Sequence, residues 1–328
     1  MIIFILFLII ANLGIYTDSW DARSIWIFKV KQIFFENSIL YSKNNYAEFS
    51  HPDYPNIAPA FSAALVKLIG YWNEVFPKLG FTIMFLPPLF FLSKQFNNNN
   101  FLITLIFITF VVGKYFINGE LDGLLSIYFV SCALIMFRIS FESQNYDFDK
   151  LIFLSLAIIL SLLKLEGLFL LLCLITSSIL IMIINRCTNY KLILLSLISL
   201  TPILAWNYFC FYHKIDNTNS NYAYSMINLS NTIFNLDYYK LVGKYLIFNE
   251  KFILGLIFFI SSITYFTQKK LLGFILLTCL IYISILFLVY LSTPLDIEWH
   301  LNSSANRVIK PMALLLFTFS VYNILKNK

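Results

Sequence analysis

Charge is scarce in this sequence. Asp, Glu, Lys and Arg make up 12% of its 328 residues, against about 25% in an ordinary soluble domain. So thin a supply excludes a conventional water-exposed surface and leaves no basic stripe of the kind nucleic-acid binding requires. Histidine is scarcer still: His51, His213 and His300 are all there are, and none has HExxH spacing or a nearby cysteine, so no zinc site is legible. The five cysteines (Cys132, Cys173, Cys187, Cys210 and Cys279) contain no CxxC and lie mostly inside apolar runs. They read as buried thiols rather than disulfides or metal ligands. Ten glycines are spread without a Walker loop, a dinucleotide-binding pattern or GxSxG, which removes the common phosphate-loop and serine-hydrolase chemistries.

What is present is hydrophobic: 59% of the chain, in long blocks parted by short polar ones. Apolar runs lie near 2–17, 57–72, 80–93, 101–117, 123–137, 151–163, 167–185, 192–212, 252–267, 271–292 and 311–325. A crossing takes about 20 residues, with about 17 as the usual minimum, so flanking residues must extend several of these. The pattern predicts an all-α integral membrane protein, a single polytopic domain over residues 1–328. Residues 2–17 lack a basic n-region and a small-residue cleavage site, and read as the first helix rather than a signal peptide. The block 151–185 is interrupted by Lys164, Glu166 and Gly167 and reads as a helical hairpin.

Run 57–72 carries Pro59 and Lys67. Placed at the membrane interface, it leaves about ten transmembrane helices; if it spans, there are about eleven and everything after it inverts. With ten, and the N-terminus in the cytoplasm, the cytoplasmic loops hold Lys94, Arg138, Lys150, Arg186, Lys191, Lys269, Lys270, Lys326 and Lys328 against Glu142, Asp147 and Asp149. The whole net charge of +6 then falls on one side, as the positive-inside rule demands. The other side collects a first loop at 18–79 with interfacial helices, the turn "NGELDG", the "KLEG" hairpin turn, a larger loop at 213–251 and "TPLDIEWHLNSSANR".

Polarity is densest in "DSWDARSIWIFKVK", directly after the first run. One reading is a water boundary marked by Asp18 and Asp21 with Trp20 and Trp26 as interfacial anchors. The other is chemical. A helix continuing from the first crossing would bring Asp18 and Asp21 onto one face, where a carboxylate can act as general base. Lys29, Lys31, Lys164 and Arg307 are cations able to neutralise a lipid phosphate. Asp122 stands in a turn opened by Gly119 and closed by Gly123. Residue types alone fit group transfer from a phosphorylated lipid and ion-coupled transport equally.

Five segments add a resemblance. "DSWDARSIWIFKVKQIFF" resembles the first outer loop of bacterial polytopic glycosyltransferases of the C-type fold, with its recurring "WDAW.IW..KAK". "HPDYPNIAP" resembles their "DPDYPLLLP", "NGELDGLLSIYF" their "GYADLPLALYL", "LKLEGLFLLL" their "TKNEGLLLLL", and "EWHLNSSANRVIKPM" their "WHL.TS..R.....P". The segments come in the same order from residue 18 to about 312. More distantly the layout is similar to protein O-mannosyltransferases and the lipid A aminoarabinose transferase.

The resemblance implies a bacterial cytoplasmic-membrane enzyme with an outward-facing site. It would take a sugar from a polyprenyl-phosphate donor and place it, with inversion, on a lipid, glycan or protein acceptor. It puts the catalytic base on Asp21, with Asp18 in reserve and Asp122 as a second acid. Lys29, Lys31, His51, Asp53, Tyr54, Glu120, Lys164, Glu166, His300 and Arg307 fall on the substrate side. It implies no fixed cofactor: the two acids are compatible with a divalent metal and with metal-free chemistry. Arg23, Val30 and Gly123 depart from the family form, which bears on the acceptor more than on the fold. The alternatives are a transporter or flippase of lipid-linked sugars and a non-catalytic assembly subunit.

Overall fold

Apolar runs of this length cannot leave backbone amides unpaired in lipid, so they must coil into helices. A computed structural model of the protein describes residues 2–17, 19–40, 47, 50–96, 98–141, 147–187, 189–215, 229, 232–265 and 269–326. All regular structure among the described residues is helical. In chain order the α-helices are α1 (Ile2–Gly14), α2 (Phe28–Glu36), α3 (Ile57–Ile69), α4 (Phe76–Ile83), α5 (Leu86–Gln95), α6 (Asn98–Val112), α7 (Asp122–Phe141) and α8 (Asp147–Leu163). They continue as α9 (Leu165–Ile184), α10 (Tyr190–Tyr212), α11 (Leu236–Leu246), α12 (Glu250–Ser261), α13 (Lys269–Leu291), α14 (Ile297–Val308) and α15 (Lys310–Lys326).

Seven segments among the described residues are long and apolar enough to cross a bilayer: 76–95, 99–116, 122–141, 165–184, 190–212, 269–291 and 297–324. The first joins α4 to α5 and the last joins α14 to α15. α1, α8 and α12 are shorter, at 13, 17 and 12 residues. α3, also 13 residues, ends where Gly70 turns left-handed at φ 89°. At about 1.5 Å per residue all four fall short of a hydrocarbon core of about 30 Å, so length alone does not separate α3 from the other three.

α7 is the axis of the bundle. Every residue from Asp122 to Phe137 is buried, the mark of a helix apolar on all sides, and α5, α8, α9 and α15 pack around it. Outward-facing apolar side chains sit instead on α6, α10 and α13, such as Leu102, Leu197 and Leu280.

Contacts sort the helix ends into two groups. The end of α1 meets the start of α4 where Asn12 donates to Thr82 at 2.6 Å and Lys78 donates to the Ile15 carbonyl. The start of α12 meets the end of α6 where Lys251 donates to the Val111 carbonyl at 2.8 Å. At the other end of the bundle Arg138, late in α7, pairs with Asp149 at the start of α8 at 3.2 Å and donates to Gln95 at the end of α5. Successive long segments therefore alternate in direction, and the turns holding residues 15–22, 113–122, 163–166 and 290–310 share one end.

The α8–α9 hairpin depends on one glycine. A Cβ on Gly167 would lie 2.0 Å from the Leu160 carbonyl oxygen, a contact that only backbone movement relieves. Gly167→Ala is expected to destabilise the protein by at least the ~1–3 kcal/mol of an overpacked core. A lowered unfolding midpoint in detergent would register it, whereas Gly255→Ala, whose nearest contact is 3.2 Å, should cost less.

Two expectations fail locally. α1 ends at Gly14 and helix resumes only at Trp20, so no continuous helix carries Asp18 and Asp21 on one face; Asp18 itself lies outside the described residues. Lys78 satisfies the Ile15 carbonyl that a longer helix would have used. Trp26 is no interfacial anchor. It is 1% exposed and stacks on Tyr54 with ring centroids 5.7 Å apart, while Trp20 is 61% exposed.

Candidate functional site

Asp21 opens a π-helical segment, Ala22–Ile27, that runs into α2. The wider π turn buries Ile25, Trp26 and Ile27 in succession, which a regular amphipathic helix would not do. Asp21 itself stays reachable, its side chain 23% exposed, and pairs with the Arg307 guanidinium from the last turn of α14. Arg307 Nη1 also lies 3.8 Å from Glu120 Oε2.

Glu120 is fixed by its own turn. Ser19 donates to its Oε1, as does the Asn118 amide at 2.9 Å, and its backbone N–H returns a bond to Asn118 Oδ1 at 3.0 Å. Gly119 makes that turn with φ 85°, a region costly for a side chain with a Cβ. Asp122, two residues on, has its ion pair with a second cation: its Oδ1 accepts from Lys164 Nζ at 3.2 Å. Lys164 breaks the hairpin in an extended conformation and also pairs with Glu166 at 3.1 Å. Asp122 and Lys164 are 3% and 6% exposed.

The electrostatics reflect this packing. Burial draws the Lys164 amine down, but the carboxylates of Asp122 and Glu166 more than reverse that and hold it well above the usual lysine range. Burial and the neighbouring charge of Asp122 push Glu120 above the ordinary glutamate value, outweighing its bond from Ser19 and the pull of Arg307. Among four carboxylates and two cations, Glu120 therefore binds a proton more tightly than a free glutamate does.

Because the folded state binds that proton more tightly than the unfolded chain, stability should fall as pH rises from the unfolded glutamate value, near 4.5, through the higher folded one. Glu120→Gln is expected to flatten that decline. Unfolding midpoints from pH 4 to 8 measure it, and parallel curves for wild type and variant would contradict it.

The HPDYP segment packs on the same loop. His51, at the left-handed φ of 48°, stacks on Tyr54 at 4.7 Å, so that His51, Tyr54 and Trp26 form a ladder of rings. Lys29 is fully buried and donates to the Tyr54 carbonyl at 2.9 Å; burial lowers its amine to about 7. Trp206 of α10 donates to the Asp53 carbonyl at 2.7 Å. His300 lies 3.0 Å from Thr293 Oγ1 and edge-on to Tyr290. Lys31 is the outlier: it faces outward over Trp72, one residue past the buried Val30, and takes no part in the cluster.

An apolar groove of about 450 Å³ runs alongside, between Leu40, Pro55, Ala60, Leu162, Trp206 and Phe209. It borders the cluster through neighbours, Pro55 after Tyr54 and Leu162 two before Lys164; neither Asp21 nor Asp122 lines it. Among the described residues no three His, Cys, Asp or Glu side chains are grouped to hold a metal ion. The carboxylates of Asp122 and Asp21 pair with Lys164 and Arg307.

No family model, curated protein or solved structure matches this chain. The family resemblance rests on its five ordered segments alone.

Three participants escaped the sequence reading. Ser19 and Asn118 carry Glu120. Lys310, 1% exposed, lies 4.4 Å from the Tyr115 ring centroid. The signal for Lys310 was its lysine–proline pair directly after the polar α14; a serine or asparagine in a polar turn carries none.

Proposed function

We propose that the protein is a membrane glycosyltransferase that moves a sugar from a polyprenyl-phosphate donor to a hydroxyl or amine acceptor. The observation supporting this reading is the meeting, at one end of the bundle, of Asp21, Glu120, Asp122, Lys164 and Arg307 from four turns far apart in sequence, beside an apolar groove. With α1, α8 and α12 counted as spans the proposal has ten crossings, and with the basic loops taken as cytoplasmic the cluster faces the outer side of the cytoplasmic membrane. The C-type fold belongs to the same proposal.

In this mechanism the donor phosphate takes Arg307 from Asp21, releasing the Asp21 carboxylate. Asp21 accepts the acceptor's proton as the acceptor oxygen or nitrogen bonds to the anomeric carbon. The bond from that carbon to the phosphate oxygen breaks, and its electron pair leaves with the polyprenyl phosphate, whose new charge Arg307 meets. Attack opposite the leaving group inverts the configuration. The lipid chain lies in the groove beside Trp206. Asp122 and Glu166 serve by holding Lys164, too tightly paired to give itself wholly to substrate.

The test is to incubate purified protein in liposomes with radiolabelled polyprenyl-phosphate sugars and a membrane extract as acceptor. Labelled product of inverted configuration supports the reading. Label that crosses the bilayer unchanged, still on its lipid, would assign the protein to transport instead.

A further inference from the structure

At the end of the bundle remote from the carboxylate cluster, a cavity of about 660 Å³ opens between α5, α7 and α8. That volume lies within the roughly 300–1,000 Å³ of small-molecule sites. Its lining has two natures. Phe90, Phe148 and Leu151 make an apolar wall and are 52%, 70% and 58% exposed. Lys94, Arg138 and Asp149 make a charged one, two cations to one acid.

We propose that this cavity binds one anionic phospholipid, its phosphate held by Lys94 and Arg138 and an acyl chain laid against the aromatic wall.

Three observations carry this. Large apolar side chains exposed at the mouth of a cavity in a membrane protein meet acyl chains, so a water-soluble ligand would enter past an unfavourable rim. Arg138 is held in position by Gln95 and by Asp149 at 3.2 Å, so its guanidinium is pre-set rather than ordered at binding. Asp149 offsets that one charge, and Lys94, exposed, with its ammonium 5.4 Å from the Phe90 ring centroid, supplies the surplus. At the same end Asp147 and Lys150 of α8 pair with each other, and Lys191, near Asp147, and Lys270, over Phe141, add positive charge. Basic pockets between transmembrane helices take anionic headgroups for this reason. A second copy of the chain is a poorer occupant, because docking there would desolvate Gln95, Arg138 and Asp149 together.

The site is independent of the proposed transfer chemistry and can be tested without it. Full-length protein in detergent is mixed with equal amounts of dioleoylphosphatidylglycerol and dioleoylphosphatidylcholine, and retained lipid is read by native mass spectrometry. One surplus cation predicts a preference of about fivefold for the glycerol lipid. Lys94→Gln should bring that ratio close to one, and Leu151→Trp, which fills the cavity, should lower retention of the anionic lipid. Both positions are exposed, so folding should survive and is checked by circular dichroism. Equal retention of the two lipids by the wild type, an unchanged preference in both variants, or a protein dimer in place of the lipid adduct would overturn the proposal.

Discussion

Replacing Asp21 with asparagine is expected to lower sugar transfer by about 10²–10⁴-fold, the usual contribution of a positioned general base. Asparagine keeps the size of the side chain and can still face Arg307, so the loop should hold its shape. What it cannot do is accept a proton. The loss should therefore fall on turnover rather than on donor binding, measured as label incorporated per minute at saturating donor. Asp21→Glu should recover part of the rate, since its carboxylate returns one methylene further out. An Asp21→Asn protein turning over at the wild-type rate would remove Asp21 from the role of base. With Arg307 then meeting no charge on Asp21, a tighter hold on the donor phosphate would add support for the exchange of partners in the mechanism.

Lys164→Met should be the most destabilising single change. It leaves the Asp122 carboxylate buried without the cation it is ion-paired to, and breaking such a pair typically costs about 3–5 kcal/mol. Asp122→Leu should cost less, because Lys164 keeps Glu166 at 3.1 Å, on a side chain still 26% exposed. Joining the two substitutions should restore much of the loss, since a buried pair replaced by apolar side chains is often neutral or better. Unfolding midpoints of the three variants in one detergent decide it. If the double variant is as unstable as the sum of the singles, the ion pair is not what holds the hairpin turn to α7.

The hairpin itself was legible in the residues. Lys164, Glu166 and Gly167 interrupt a run too long for one helix, and the structure breaks there, with α8 ending at Leu163 and α9 starting at Leu165. The charges that matter were also legible as a set, because polar residues in so apolar a chain must gather at helix ends. Their partners were not. Asp122 was expected beside Asp21 as a second acid. Its ion pair is with Lys164, while Asp122, Glu120 and Asp21 all act on Arg307. A shift of two residues in the turn, made by Gly119 at positive φ, changes which acid faces which cation. Lys31 and Trp26 also depart from their expected roles: the π-helical segment after Asp21 buries Trp26, and Lys31 lies over Trp72.

Run length and loop charge are local properties, read one residue after another, and they were enough to determine an all-helical membrane protein with its polar residues at the helix ends. The pairing of Arg307 with Asp21, 286 residues away, belongs to the tertiary structure alone. Coulomb energy depends on distance and burial in three dimensions, and both are set by how the bundle closes and how each helix is rotated within it.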